Sequence, residues 1–116
     1  MTRRGDIWTV AGGQQYTSKP RPAVVIQEDA FENSDSVTIC IFTSDPTEAP
    51  LFRIEVEPTV GNGLTATSRL MVDKVTTVRR SSLGYRIGRL SDGDQLRLNR
   101  ALMVFLGLAV SPRSRG

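Results

Sequence analysis

Histidine is absent throughout the 116-residue chain. That removes the Ser-His-Asp and Cys-His pairs that activate most hydroxyl and thiol nucleophiles, together with most zinc sites. The single cysteine, Cys40, allows no internal disulfide and, set between Ile39 and Ile41, reads as a buried structural thiol. Long apolar runs are missing too. The longest, Ala101 to Val110, is broken by Gly107 and falls well short of the ~20 residues a bilayer-crossing helix needs, so no membrane span is expected. No long apolar core follows the basic N-terminal segment Met1 to Asp6, which argues against a cleaved signal peptide and makes the cytoplasm the expected compartment. The carboxylates are scattered without metal-ligand spacing, and neither Gly61-Asn62-Gly63 nor Gly84 to Gly88 carries the lysine of a phosphate loop. No metal and no nucleotide cofactor are expected. Lysine is scarce as well: of the 15 basic side chains only Lys19 and Lys74 are lysine. The arginine excess suits recognition of anions, because a guanidinium pairs bidentately with phosphate or carboxylate; an arginine-rich codon usage would give the same skew.

What is present describes one small, mainly β domain. The length fits a single core, with residues 1–110 read as the domain and 111–116 as a frayed basic tail. Seven short segments have strand composition: Ile7 to Val10, Pro22 to Ile26, Val37 to Thr43, Phe52 to Glu57, Arg69 to Lys74, Thr76 to Arg79 and Tyr85 to Leu90. Phe52 to Glu57 alternates apolar and charged residues, the period of a half-exposed strand. The last element changes period. Ser91-Asp92-Gly93-Asp94 resembles a capping box opening a helix, whose stripe of Leu98, Leu102 and Phe105, widened by Met103 and Leu106, is expected to face the sheet. Gly107 lies near its end. Many short strands followed by one helix predict a strongly curved sheet or small barrel capped by that helix.

The chemistry left open is what arginine, hydroxyl and backbone groups run together. Phosphodiester transfer in RNA fits, because the substrate brings its own nucleophile, the ribose 2′-hydroxyl. The protein need only position it, move protons and stabilise charge on the phosphorane. Arg21 is held on stiff backbone by Pro20 and Pro22. Thr43 and Ser44 stand where the strongest strand ends at Asp45-Pro46.

The motifs resemble one family in order. Arg4-Gly5-Asp6-Ile7-Trp8, Lys19 to Gln27 and Phe42-Thr43-Ser44, then Asn62-Gly63-Leu64, Met71 to Val78, Ile87 to Ser91 and the close Phe105-Leu106-Gly107-Leu108 are similar to segments of the MazF/PemK toxins. The resemblance implies an SH3-like or CcdB-like barrel of about seven strands, a homodimer, and metal-independent cleavage of single-stranded RNA leaving a 2′,3′-cyclic phosphate and a 5′-hydroxyl. It also implies a MazE-like antitoxin partner with a flexible acidic tail. Arg21 and Thr43 carry over as catalytic residues: Arg21 holding the scissile phosphate and offsetting its charge, Thr43 hydrogen-bonding the phosphate or the 2′-hydroxyl, with Ser44 as a second donor. Arginine's high pKa makes it a poor base, so the general base is unassigned. Related chains often have an acidic residue before the first-loop tyrosine; here Gln15 precedes Tyr16, and residues 12–22 hold no carboxylate. Where those chains commonly have proline two places before the threonine, this one has Ile41.

Further substrate-binding candidates are Gln14, Gln15 and Lys19 by loop position, Tyr16 as a base-stacking ring or a cover for the barrel mouth, and Arg79 or Arg80 for phosphates, of which at most one is expected to line a groove. Trp8 is read as core or dimer interface. Two other functions stay open: a CcdB-like gyrase poison on the same fold, and a catalytically dead RNA-binding relative.

Overall fold

A computed structural model describes residues 2–11, 20–46 and 52–109. Seven strands form one antiparallel sheet: β1 Asp6–Val10, β2 Arg21–Val25, β3 Ser36–Thr43, β4 Arg53–Val56, β5 Ser68–Met71, β6 Thr76–Arg79 and β7 Leu83–Arg89, followed by the helix α1 Asp92–Phe105. The strand order is β4-β5-β3-β2-β1-β7, with β6 also on β3. One edge of β3 takes β6 along Ser36 to Ile39 and then β5 at Phe42 and Thr43, while the other edge pairs β2 across Ile39 to Ile41. Sharing one edge between two partners bends the sheet. It curls without closing: among the described residues β4 and β7, the strands at its two ends, do not pair.

Alternation along the strands gives both faces an apolar lining. Ile7, Val24, Cys40, Phe42, Ile54, Val56, Leu70 and Val72 pack with Leu64, Leu90 and Leu98 on one face; Val10, Ala23, Val25, Val37 and Ile39 pack on the other with Trp8, Ile41, Val78 and Leu83. Cys40 is fully buried, as expected, and burial pushes its thiol up to about 12, with Asp73 raising it further and Arg53 opposing.

Two expectations are corrected. Strand geometry ends at Met71, and Val72–Lys74 is a 3-10 turn, because burying Val72 in the core turns the chain inward before Asp73 and Lys74. The helix starts as expected, with Ser91 Oγ accepting from Asp94 N at 3.1 Å, but the Asp94 carboxylate takes Arg97 at 2.8 Å. Its stripe is only half used. Leu98 is fully buried, with Ala101 and Leu102 against the core, whereas Met103, Phe105 and Leu106 stay exposed; Phe105 meets Phe52 edge to face at 5.5 Å. The helix rests on the Val72 turn and β4.

Two features fix the site's walls. The Asp6 carboxylate, 4% exposed as a residue, takes Arg86 Nε at 3.2 Å and Arg89 Nη1 at 3.3 Å on Oδ1 and Arg3 N on Oδ2 at 3.0 Å, tying β1 to β7. The buried Asn62 holds its loop together: Oδ1 accepts from Thr59 N and Leu64 N at 2.9 and 3.0 Å, and Nδ2 donates to Glu57 O at 2.8 Å. Gly63 has φ +70° and lies so close to β7 that a Cβ would run into the Ile87 carbonyl.

Candidate active site

Arg21 opens β2 and Thr43 closes β3. In the β2–β3 register Ala23 stands opposite Ile41 and Val25 opposite Ile39, so Arg21, two residues before Ala23, and Thr43, two residues after Ile41, lie at the same end of the two strands. By strand alternation Arg21 takes the face of Ala23 and Thr43 the face of Ile41. On its other side Arg21 pairs with Val10, the last residue of β1. Three strand ends thus form one rim.

Clefts of about 670 and 760 Å³ lie either side of that rim, and Arg21, Thr43 and Ser44 line both. The first is walled by Thr9, Phe42, Leu64 and Ile87, with Thr65 and Ala66 from the loop that Asn62 braces. The second is walled by Val10, Ile41 and Val78 and carries the charges Arg21, Arg53, Lys74 and Asp45. Arg53 is neutralised by its ion pair with Asp73. Lys74, exposed at the end of the 3-10 turn, adds a cation.

The Thr43 hydroxyl has a defined polarity. Its oxygen accepts from the backbone N–H of Asp45 at 3.1 Å, a two-residue turn of the Ser/Thr type. With one lone pair so used, the hydroxyl proton points away from that bond and serves as a donor to a bound oxygen. A guanidinium and a hydroxyl donor on one rim, between two grooves, suit a chain of phosphates passing from one cleft to the other.

The structure does not bring every sequence candidate here. Gln14, Gln15, Tyr16 and Lys19 lie outside the described residues. Arg79 pairs with Ser36, seven places along β3 from Thr43, which at ~3.3 Å per residue is roughly 23 Å away. Arg80 is tied into the scaffold, Nε donating to Ser34 O and Nη1 to Thr2 Oγ1, each at 2.9 Å. These two line a separate shallow cleft with Asp35, Ser36 and Ser81. Sequence reasoning missed Asp45, Lys74 and Arg53, all on the second cleft. The turn signal Asp45-Pro46 was visible, but read as punctuation; Lys74 was hidden by continuing β5 too far. Among the described residues no three His, Cys, Asp or Glu side chains form a metal-binding group. No helix among them is long and apolar enough to cross a membrane.

Residues 3–106 match the family described as PemK-like, MazF-like toxin of type II toxin-antitoxin system. The chain belongs to that family. It is 56% identical over 107 residues to the "Probable endoribonuclease MazF" of Mycolicibacterium smegmatis, covering 92% of this chain and 98% of the relative. This places it among MazF-like toxin endoribonucleases. Solved structures agree in fold. A mycobacterial endoribonuclease in complex with its cognate antitoxin superposes with TM-score 0.80 at 20% identity over 96% of this chain and all of the other. A Deinococcus radiodurans MazF gives TM-score 0.75 at 17% identity over 91% and 96% of the two chains.

Proposed function

We propose that the chain cleaves single-stranded RNA at the Arg21 and Thr43 rim by attack of the ribose 2′-hydroxyl on the adjacent phosphorus, leaving a 2′,3′-cyclic phosphate and a 5′-hydroxyl, with no metal or cofactor. The observation that supports this is that Arg21, Thr43 and Ser44, at one end of the β2–β3 pair, line both of two clefts. Arg21 binds the scissile phosphate and offsets the charge that grows on the phosphorane. Thr43 donates its proton to a phosphate oxygen or to the 2′-oxygen, and Ser44 is a second donor beside it. DNA lacks the 2′-hydroxyl and is not cut. Gln14, Gln15, Tyr16 and Lys19, which shortly precede Arg21 in the sequence, contact the flanking nucleotides in this proposal. Arg79 and Arg80 sit on a separate cleft and have no part in this site.

Assembly follows the family. The toxin works as a cytoplasmic homodimer and is held inactive by a MazE-like antitoxin whose acidic tail occupies the RNA groove, where its carboxylates stand in for phosphates. Incubating the purified chain with a long single-stranded RNA in excess chelator tests the central claim. Fragments bearing 2′,3′-cyclic phosphates are expected; intact RNA, or cleavage that requires added metal, would overturn it.

A further inference from the structure

Attack by a 2′-hydroxyl requires a proton acceptor, and neither of the rim residues supplies one. The Arg21 guanidinium offers donors and no acceptor, and the Thr43 oxygen is engaged as an acceptor by Asp45 N. Histidine is absent from the chain, and residues 12–22 contain no carboxylate. The described residues narrow the choice further. Among them the first cleft has no acidic side chain on its walls, and the second has one, Asp45. Asp73 is committed to Arg53 and is absent from both sets of cleft walls.

We infer that Asp45 is the general base of this ribonuclease, standing where the turn after β3 presents its carboxylate to the second cleft beside Thr43 and Arg21. The inference rests on the reading that the chain cleaves RNA. The turn does two jobs at once: the Asp45 backbone N–H orients Thr43, and Asp45 lines the cleft that Thr43 lines. In the step, the 2′-O–H proton passes to an Asp45 carboxylate oxygen while the 2′-oxygen bonds phosphorus. The P–O5′ bond breaks, the 5′-oxygen takes a proton from water, and the hydroxide so formed takes the proton back from Asp45. Atoms and charge balance over the cycle. Arg21, Arg53 and Lys74 line the same cleft, so the carboxylate stands among cations that offset its charge towards the RNA.

The charge of Asp45 makes the test two-sided. An anion beside the phosphate opposes binding, so electrostatics alone predicts that Asp45→Asn tightens binding and does not slow the reaction. A general base predicts tighter or equal binding with a slower chemical step. The Asp45→Asn substitution keeps the backbone N–H that holds Thr43. The experiment compares wild type, Asp45→Asn and Asp45→Glu in single-turnover cleavage, alongside binding of a 2′-deoxy version of the same strand. Expected are a loss of roughly 10²- to 10⁴-fold in rate for Asp45→Asn, unweakened binding, partial recovery with Asp45→Glu, and loss of the acid limb of the wild-type pH–rate profile. Wild-type cleavage with Asp45→Asn within about threefold of it would overturn the assignment, as would a defect confined to binding. Intact RNA with the wild-type chain would instead overturn the ribonuclease reading on which the assignment rests.

Discussion

Arg21 is an exposed residue with two proline neighbours, and its proposed role as a phosphate clamp rests on the two clefts it lines together with Thr43. Arg21→Ala removes the preorganised donors aimed at the developing charge and is expected to lower kcat/KM at least a hundredfold, about 2.7 kcal/mol of transition-state stabilisation. Steady-state cleavage of a defined RNA, with circular dichroism to show an unchanged fold, measures it. Cys40 makes the opposite case, a reactive group silenced by its surroundings. Its thiol, raised to about 12 by burial, stays neutral in the fold, so a thiol reagent at pH 8 should label the chain only after denaturation. The sign of the pH effect follows. Because the folded-state value lies above the ordinary 9.0, the stabilisation is complete below pH 9, and it is lost as pH climbs from 9 towards 12, where the unfolded chain ionises first. Denaturant midpoints that fall across that window in wild type, and less so in Cys40→Ala, would bear this out. The sequence made both residues legible by composition and neighbours, but held no hint that Asp45 would share a cleft with Arg21.

At the level of elements, strand composition located all seven strands and a change of period located the helix, since both signals are local. What periodicity could not supply was the pairing. Arg21 and Thr43 reach the same clefts only because β2 and β3 pair in one register, and a slip of one residue would turn Arg21 to the other face. The end of β5 was illegible for a related reason: Val72 belongs to the core through contacts with distant residues, which no local pattern reports. Lys74 follows from that turn. As the cation next to the neutralised Arg53, it should bind a flanking phosphate, so Lys74→Gln is expected to raise KM with kcat nearly unchanged and to reduce the slope of log affinity against log salt by about 1. A titration of binding across salt concentrations reads it. The loop at Gly63 supports the opposite cleft wall. Gly63→Ala forces a side chain into the left-handed region and against the Ile87 carbonyl, and should cost about 1–3 kcal/mol in a denaturant melt.

Across the whole molecule, the modest net charge of +3 cannot attract RNA by itself; the local excess of cations at the second cleft has to do so. The exposed apolar end of the helix, from Met103 to Leu108, is the other large-scale feature. The sequence predicted Met103, Phe105 and Leu106 among them to be buried, and within one chain they are not. The pairing of β1 with β7 has a temporal consequence. The strand opening the sheet at Asp6 waits for a partner that ends at Arg89, and β7 also contributes Ile87 to the first cleft. Such distant pairings slow folding to the millisecond-to-second range, far behind a helical bundle of equal size, and stopped-flow refolding should show it. A ribosome adding ≈5–20 residues per second therefore leaves this edge of β1 unpaired for seconds, until β7 emerges. A nascent chain of this topology has no complete first cleft before Ile87 and the rest of β7 have left the ribosome.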